Sequence, residues 1–150
     1  MGRYVSVLSE IVNRIEAVKT SLGLQGIYVA PNLSHITQKT YPLVLISDFT
    51  ADESQITAKQ VPVEDLIITI YCETEENTIN PIFNQQSHVL DLSEKVMDAL
   101  YLSEGKQDLS LNGKVNEFAL TKHPANLENN IISIEIQAQF NVENIDLTQR

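Results

Sequence analysis

The chain has no tryptophan and a single cysteine, Cys72. One thiol excludes an intramolecular disulfide framework and fits a reducing compartment. Aromatic residues make up only 6% of the chain, so the core has to be built from Ile, Leu and Val. Glycines number five and never fall into a GxGxxG or GxxxxGK spacing, which leaves no phosphate-cradling loop. No serine sits in a GxSxG elbow. The histidines, His35, His88 and His123, form neither an HxxxH nor an HExxH pair. His88 and Asp91 are three apart, but two potential ligands do not close a metal site. No apolar run approaches the roughly 20 residues of a membrane-spanning helix. Ser9, Glu10 and Asn13 interrupt the apolar stretch that a signal peptide would need. Basic residues are scarce, 10 Lys and Arg against 20 Asp and Glu, for a net charge of −10. That balance excludes a general nucleic-acid binder, which needs clustered cations, but not a wall past which DNA slides.

What the chain does have is one long alternation. Ile132, Ile134, Ile136, Ala138, Phe140 and Val142 alternate with Ser133, Glu135, Gln137, Gln139 and Asn141. Period two predicts a strand with one apolar and one polar face. The polar face is mostly amide and hydroxyl, and Glu135 is its only charge before Glu143. Such a face suits burial against another subunit better than bare solvation.

Two helices are expected. Val7, Ile11, Ile15, Val18 and Leu22 repeat at helical spacing over Tyr4 to Leu22, with Glu10 and Arg14 paired on the wet side and Gly23 as the stop. Val89, Leu92, Val96 and Leu100 form the inward stripe of the second, which starts at Asn80-Pro81 and closes at Gly105. Strands are expected at Ile27 to Ala30, at Leu43 to Phe49 and from Leu66 to Glu73, the second of them buried. Asn112-Gly113 is a hairpin signal joining Leu109-Ser110-Leu111 to a strand through Val115 and Leu120. Thr50 to Gln60 reads as a loop or the tip of a long hairpin, and Thr121 to Asn130 as a polar loop. The fold class is α+β: a two-layer sandwich, mostly antiparallel, with a sheet of about five strands and two helices on one face. The 150 residues are expected to form one domain.

The chemistry-bearing residues have bland readings. Cys72 lies on the apolar face of a strand and reads as a small buried hydrophobe. Glu73, Glu75 and Glu76 read as a solvated strand end, since no EF-hand spacing surrounds them. Met1-Gly2 with Ser6 matches a myristoylation pattern that is common by chance. No catalytic residue, cofactor or metal is expected.

Whole segments carry a family resemblance. Thr40-Tyr41-Pro42 leads into Leu43-Val44-Leu45-Ile46. The strand Asp65 to Tyr71 follows, then the helix from His88 to Leu100, a loop with Thr121 to Asn126, and the strand Ile131 to Phe140. This order resembles the tail terminator, or tail-completion, proteins of long-tailed bacteriophages. The resemblance implies a non-enzymatic virion protein, assembled in the host cytoplasm. It would form a homo-oligomeric ring, expected to be hexameric, that caps the tail tube protein and joins it to a neck or head-completion protein. DNA would pass through without specific binding, and no membrane is involved. Another neck, sheath-capping or tail-associated protein of a phage or contractile injection system is the alternative, and a small ligand-binding or enzymatic α+β domain a more distant one. Candidate assembly contacts are Asp52, Glu53, Gln55 and Lys59 in one polar segment and Lys122, His123 and Asn126 in the other. Gln137 and Gln139 on the long strand complete the set.

Overall fold

The computed structural model describes residues 3–29, 40–56, 62–75, 84–103, 105–128 and 131–143. In chain order the helices are α1 (Arg3–Glu16), the single turn α2 (Lys19–Leu22) and α3 (Asn84–Tyr101). Strands β1 (Gly26–Val29), β2 (Leu43–Ile56) and β3 (Pro62–Glu75) precede α3. After it come β4 (Leu102–Ser103), β5 (Lys106–Gln107), β6 (Glu117–Lys122), β7 (Asn126–Glu128) and β8 (Ile131–Glu143). The main sheet has six strands in the order β1-β2-β3-β8-β6, with β7 also on β8; β4 and β5 form a separate two-stranded ribbon. The α+β class holds, and the sheet is larger than the five strands expected. Every pairing in it is antiparallel except β1 with β2, which is parallel.

The long alternation positions the core. Along β8, Ile132 to Phe140 on even positions are all buried, whereas Gln137 is half-buried and Gln139 exposed. The even face meets Leu66, Ile68, Ile70 and Cys72 of β3 and Val44 and Ile46 of β2. Onto that surface pack the predicted helix stripes, Val7, Ile11 and Ile15 from α1 and Leu92, Val96 and Leu100 from α3. Both helices therefore lie on one face of the sheet. Phe118 of β6 stacks on Tyr101 at 5.2 Å and tilts against Phe140 at 5.3 Å, tying the end of α3 to the sheet. A smaller cluster of Val89, Ile132 and Ile134 fills the space below the start of α3.

β2 is buried on both faces where β1 flanks it. Val44 and Ile46 face the helices, and Leu43 and Leu45 are buried on the other side, in register with Gly26 and Tyr28. The apolar run at 43–46 needed both.

Four expectations need correction. The first helix is not continuous to Leu22; it ends at Glu16 and a separate turn follows, capped by Gly23 at φ 67°. Arg14 is not on the wet side but 6% exposed. Asn112-Gly113 makes its left-handed turn without a hairpin, because Leu109–Leu111 is itself turn and β6 pairs with β8 instead. Finally, 121–130 is no open loop: β6 runs to Lys122, and β7 pairs Asn126 to Glu128 with Ser133 to Ile131. Within the segment expected at 50–60, β2 runs on to Ile56 and pairs with β3, which starts at Pro62; residues 57–60 lie outside the described residues. The helix start expected at Asn80-Pro81 lies outside the described residues.

Candidate functional site

With both helices on one side, the other face of the sheet is where the candidate residues are to be sought. Cross-strand register assigns its rows, because directly opposite residues share a face. The first row runs Asp52, Asp65, Asn141, Glu117 across β2, β3, β8 and β6. The second runs Thr50, Ile67, Gln139, Ala119, and the third Ser47, Thr69, Gln137, Thr121. Leu45, Tyr71 and Glu135 follow, then Leu43, Glu73, Ser133 and Asn126. The centre of the face is thus uncharged, and acidic residues gather at its ends.

Five of the expected contacts come together here by register or contact: Asp52, Gln139, Gln137, His123 and Asn126. His123 donates its backbone N–H to the Glu135 carbonyl at 2.9 Å, and its Nε2 lies 3.6 Å from the Glu135 carboxylate. Gln55 joins the same face through its pairing with Val63. Lys122 does not belong to it. It is in register with Ile136 on the helix side, and its Nζ lies 3.5 Å from Glu94 of α3. Glu53 falls in a register slip between Asp52 and Gln55 and has no strand partner. Lys59 lies outside the described residues. Sequence reasoning missed Ile67, Thr69, Ala119 and Thr121 on this face, although the odd positions of β3 and β6 carried the same period-two signal as β8.

The electrostatics of the face are set at its acidic end. Asp52 is in register with Asp65 at that end. A shallow hollow of about 280 Å³, lined by Glu117, Phe118, Ala119, Gln139 and Asn141, lies at the β6–β8 side of that corner. Toward the other end, burial first and then the Glu73 and Glu75 charges push the Tyr41 hydroxyl above its ordinary value. Glu73 is half-buried rather than part of a solvated strand end, while Glu75 is exposed.

Cys72 is fully buried, and burial followed by the Glu73 charge pushes its thiol up to about 12, the opposite of an activated nucleophile. Among the described residues no group of three or more His, Cys, Asp or Glu comes together to hold a metal. Nor, among them, is any helix long and apolar enough to cross a membrane.

No family model matches the chain, and no curated protein matches it. The solved structures do match. A chain from the "Virion of native gene transfer agent (GTA) particle" aligns with a TM-score of 0.50 over 89% of this chain and 92% of that one, at 13% identity. The two proteins share their fold over nearly their whole lengths.

Proposed function

We propose that this chain is a structural subunit of a phage-like virion, a tail terminator that caps the tail tube as a ring and presents the joining surface to the neck. The observation that carries the reading is the shared fold with a chain of a gene transfer agent virion, over about nine-tenths of each chain. The uncharged sheet face supports it. Copies that each carry a net charge of −10 repel, so they meet best where charge is low, and the exposed Gln139, Ala119 and Thr121 toward β6 offer such a patch. In this reading the whole chain is one assembling, non-enzymatic domain. The acidic balance lets DNA pass a central channel without adhering.

The test is electron microscopy and light scattering of the purified protein, alone and with tail tubes. Closed rings with an open centre are expected, free or on tube ends. A protein that stays monomeric at high concentration and leaves tube ends bare would rule the reading out. The matched structure is named as a whole virion, so a neck or other tail position fits that name equally. A gene between the head-completion and tail-tube genes supports the terminator, and one among baseplate genes does not.

A further inference from the structure

β6 is an open edge. Among the described residues it pairs on one side only, with β8, and its register runs unbroken from Glu117 to Lys122. The bond from the His123 N–H to the Glu135 carbonyl marks that couple as a hydrogen-bonded pair. Alternation along an antiparallel ladder then turns the backbone N–H and C=O of Phe118, Leu120 and Lys122 away from β8. The strand contains no proline to blunt that side. A row of unpaired backbone groups is a template for another strand.

A second edge lies on the opposite side of the sheet. β1 flanks β2 only from Leu43 to Ile46. Beyond that β2 continues to Ile56 against β3, with no described strand on its other side. At roughly 3.3 Å per residue, the hairpin of these 14-residue strands reaches some 30 Å past β1.

Taking the ring reading as the premise, we infer that the distal part of β2 in one copy adds to the free edge of β6 in the next. Three features favour this pairing over others. Two unlike edges on opposite sides make a head-to-tail contact, which closes into a ring when the rotation permits. Because β2, β3, β8 and β6 alternate in direction, copies standing side by side in one orientation bring β2 and β6 together antiparallel. Charge selects the partner. Residues 48–65 carry Asp48, Asp52, Glu53, Glu64 and Asp65 against Lys59 alone, so arm repels arm. β6 carries instead one acid and one base, Glu117 and Lys122, so the arm meets no net like charge there. Register slips between Ser47 and Thr50 and between Asp52 and Gln55 leave Thr50 to Asp52 as the regular stretch of the arm. Slips of this kind restrain indiscriminate edge pairing, so the contact is short and selective.

Engineered cysteines test the contact, since native Cys72 is buried and does not compete. The double variant Thr50→Cys with Thr121→Cys should give, on oxidation, a ladder of linked multimers ending in a closed species. Either single variant should give none. Leu120→Pro deletes an outward N–H and spares the β8 ladder, and Leu120→Ala serves as its packing control. The proline form should assemble at least tenfold more weakly than the alanine form, with equal circular dichroism. If wild-type rings form while the double variant stays unlinked and the proline and alanine forms assemble alike, the edge contact is wrong and the ring reading stands. Dimers from Thr121→Cys alone would show β6 meeting β6, and would overturn the proposal too. Wild-type protein that never forms rings, even on tubes, removes the premise.

Discussion

At the residue scale Arg14 makes four side-chain hydrogen bonds. Its Nε meets Glu10 at 3.2 Å, one terminal nitrogen donates to the Leu100 carbonyl at 2.6 Å and to the Asp108 carbonyl at 3.1 Å, and the other to the Asp108 carboxylate at 2.6 Å. A planar fork that spreads bonds over three directions is a property of guanidinium and not of ammonium. Arg14 thereby fastens α1 to the end of α3 and to the turn beyond it. Removing one member of a buried ion pair strands the other, so Arg14→Met should cost about 3 kcal/mol, and Arg14→Lys most of that. Urea midpoints at unchanged slope would measure it. Asp108 is held far below the ordinary carboxylate range, first by the Ser110 hydroxyl, then by the Asn112 N–H, with Arg14 adding to the effect and burial opposing it. A depressed folded pKa stabilises the protein above the unfolded value of about 3.9 and loses that contribution as the pH falls below it. Wild type should therefore lose more stability than Asp108→Asn between about pH 4 and pH 2. Equal losses would show that Asp108 is not the responsible group.

At the element scale, the parts dominated by side-chain period were legible in the sequence. The even face of β8 and the stripes Val7–Ile11–Ile15 and Val89–Leu92–Val96–Leu100 are buried as their spacing requires. What period does not encode is how a polar group is satisfied once the chain has folded. Helical spacing put Arg14 beside Glu10, yet its partners Leu100 and Asp108 are 86 and 94 residues away. The Asn112-Gly113 turn misled for the same reason. Leu111, Asn112 and Gly113 take φ values of 49°, 56° and 81°, forming a left-handed run instead of a hairpin. Side-chain bonds hold it: Asp108 accepts from the Ser110 and Asn112 N–H groups, and Asn112 Nδ2 donates to Glu10 at 2.6 Å. Leu111, wholly buried, is the apolar anchor. Period two already put Gln137 and Gln139 on one face of β8, whereas the other candidate contacts were legible only as polar segments; that Asp52 shares that face required the register. Gly113 gives a clean test of the turn. Nothing lies within 4 Å of where its Cβ would stand, so Gly113→Ala meets backbone strain alone. A loss of about 1–2 kcal/mol is expected in chemical denaturation. No loss would mean that the turn readily takes another conformation.

At the scale of the whole molecule, the proposed ring makes charge the term that decides how copies approach one another. Each carries a net −10, and in a ring these charges sit around a common axis. At 0.01 M ionic strength the screening length is about 30 Å, comparable to a subunit, so every copy feels its neighbours; at 0.15 M it is about 8 Å. Ion pairs at the contact, partly removed from water, are screened far less than the distant net charges. Raising salt from 0.01 to 0.15 M should therefore strengthen assembly, and sedimentation velocity at fixed protein concentration should show the ring fraction rising. Replacing an acidic residue outside the sheet face, as in Asp98→Asn on exposed α3, should move assembly the same way at low salt and matter little at 0.15 M. Reversing Asp52 to Lys separates the net from the local effect. It lowers repulsion between subunits and, with Thr50 beside Thr121, places a cation on the face that carries Glu117 of the next copy. If net charge alone governs, the gain over wild type vanishes at 0.15 M as that of Asp98→Asn does; if the arm meets β6, part of the gain persists there, which is the outcome expected here.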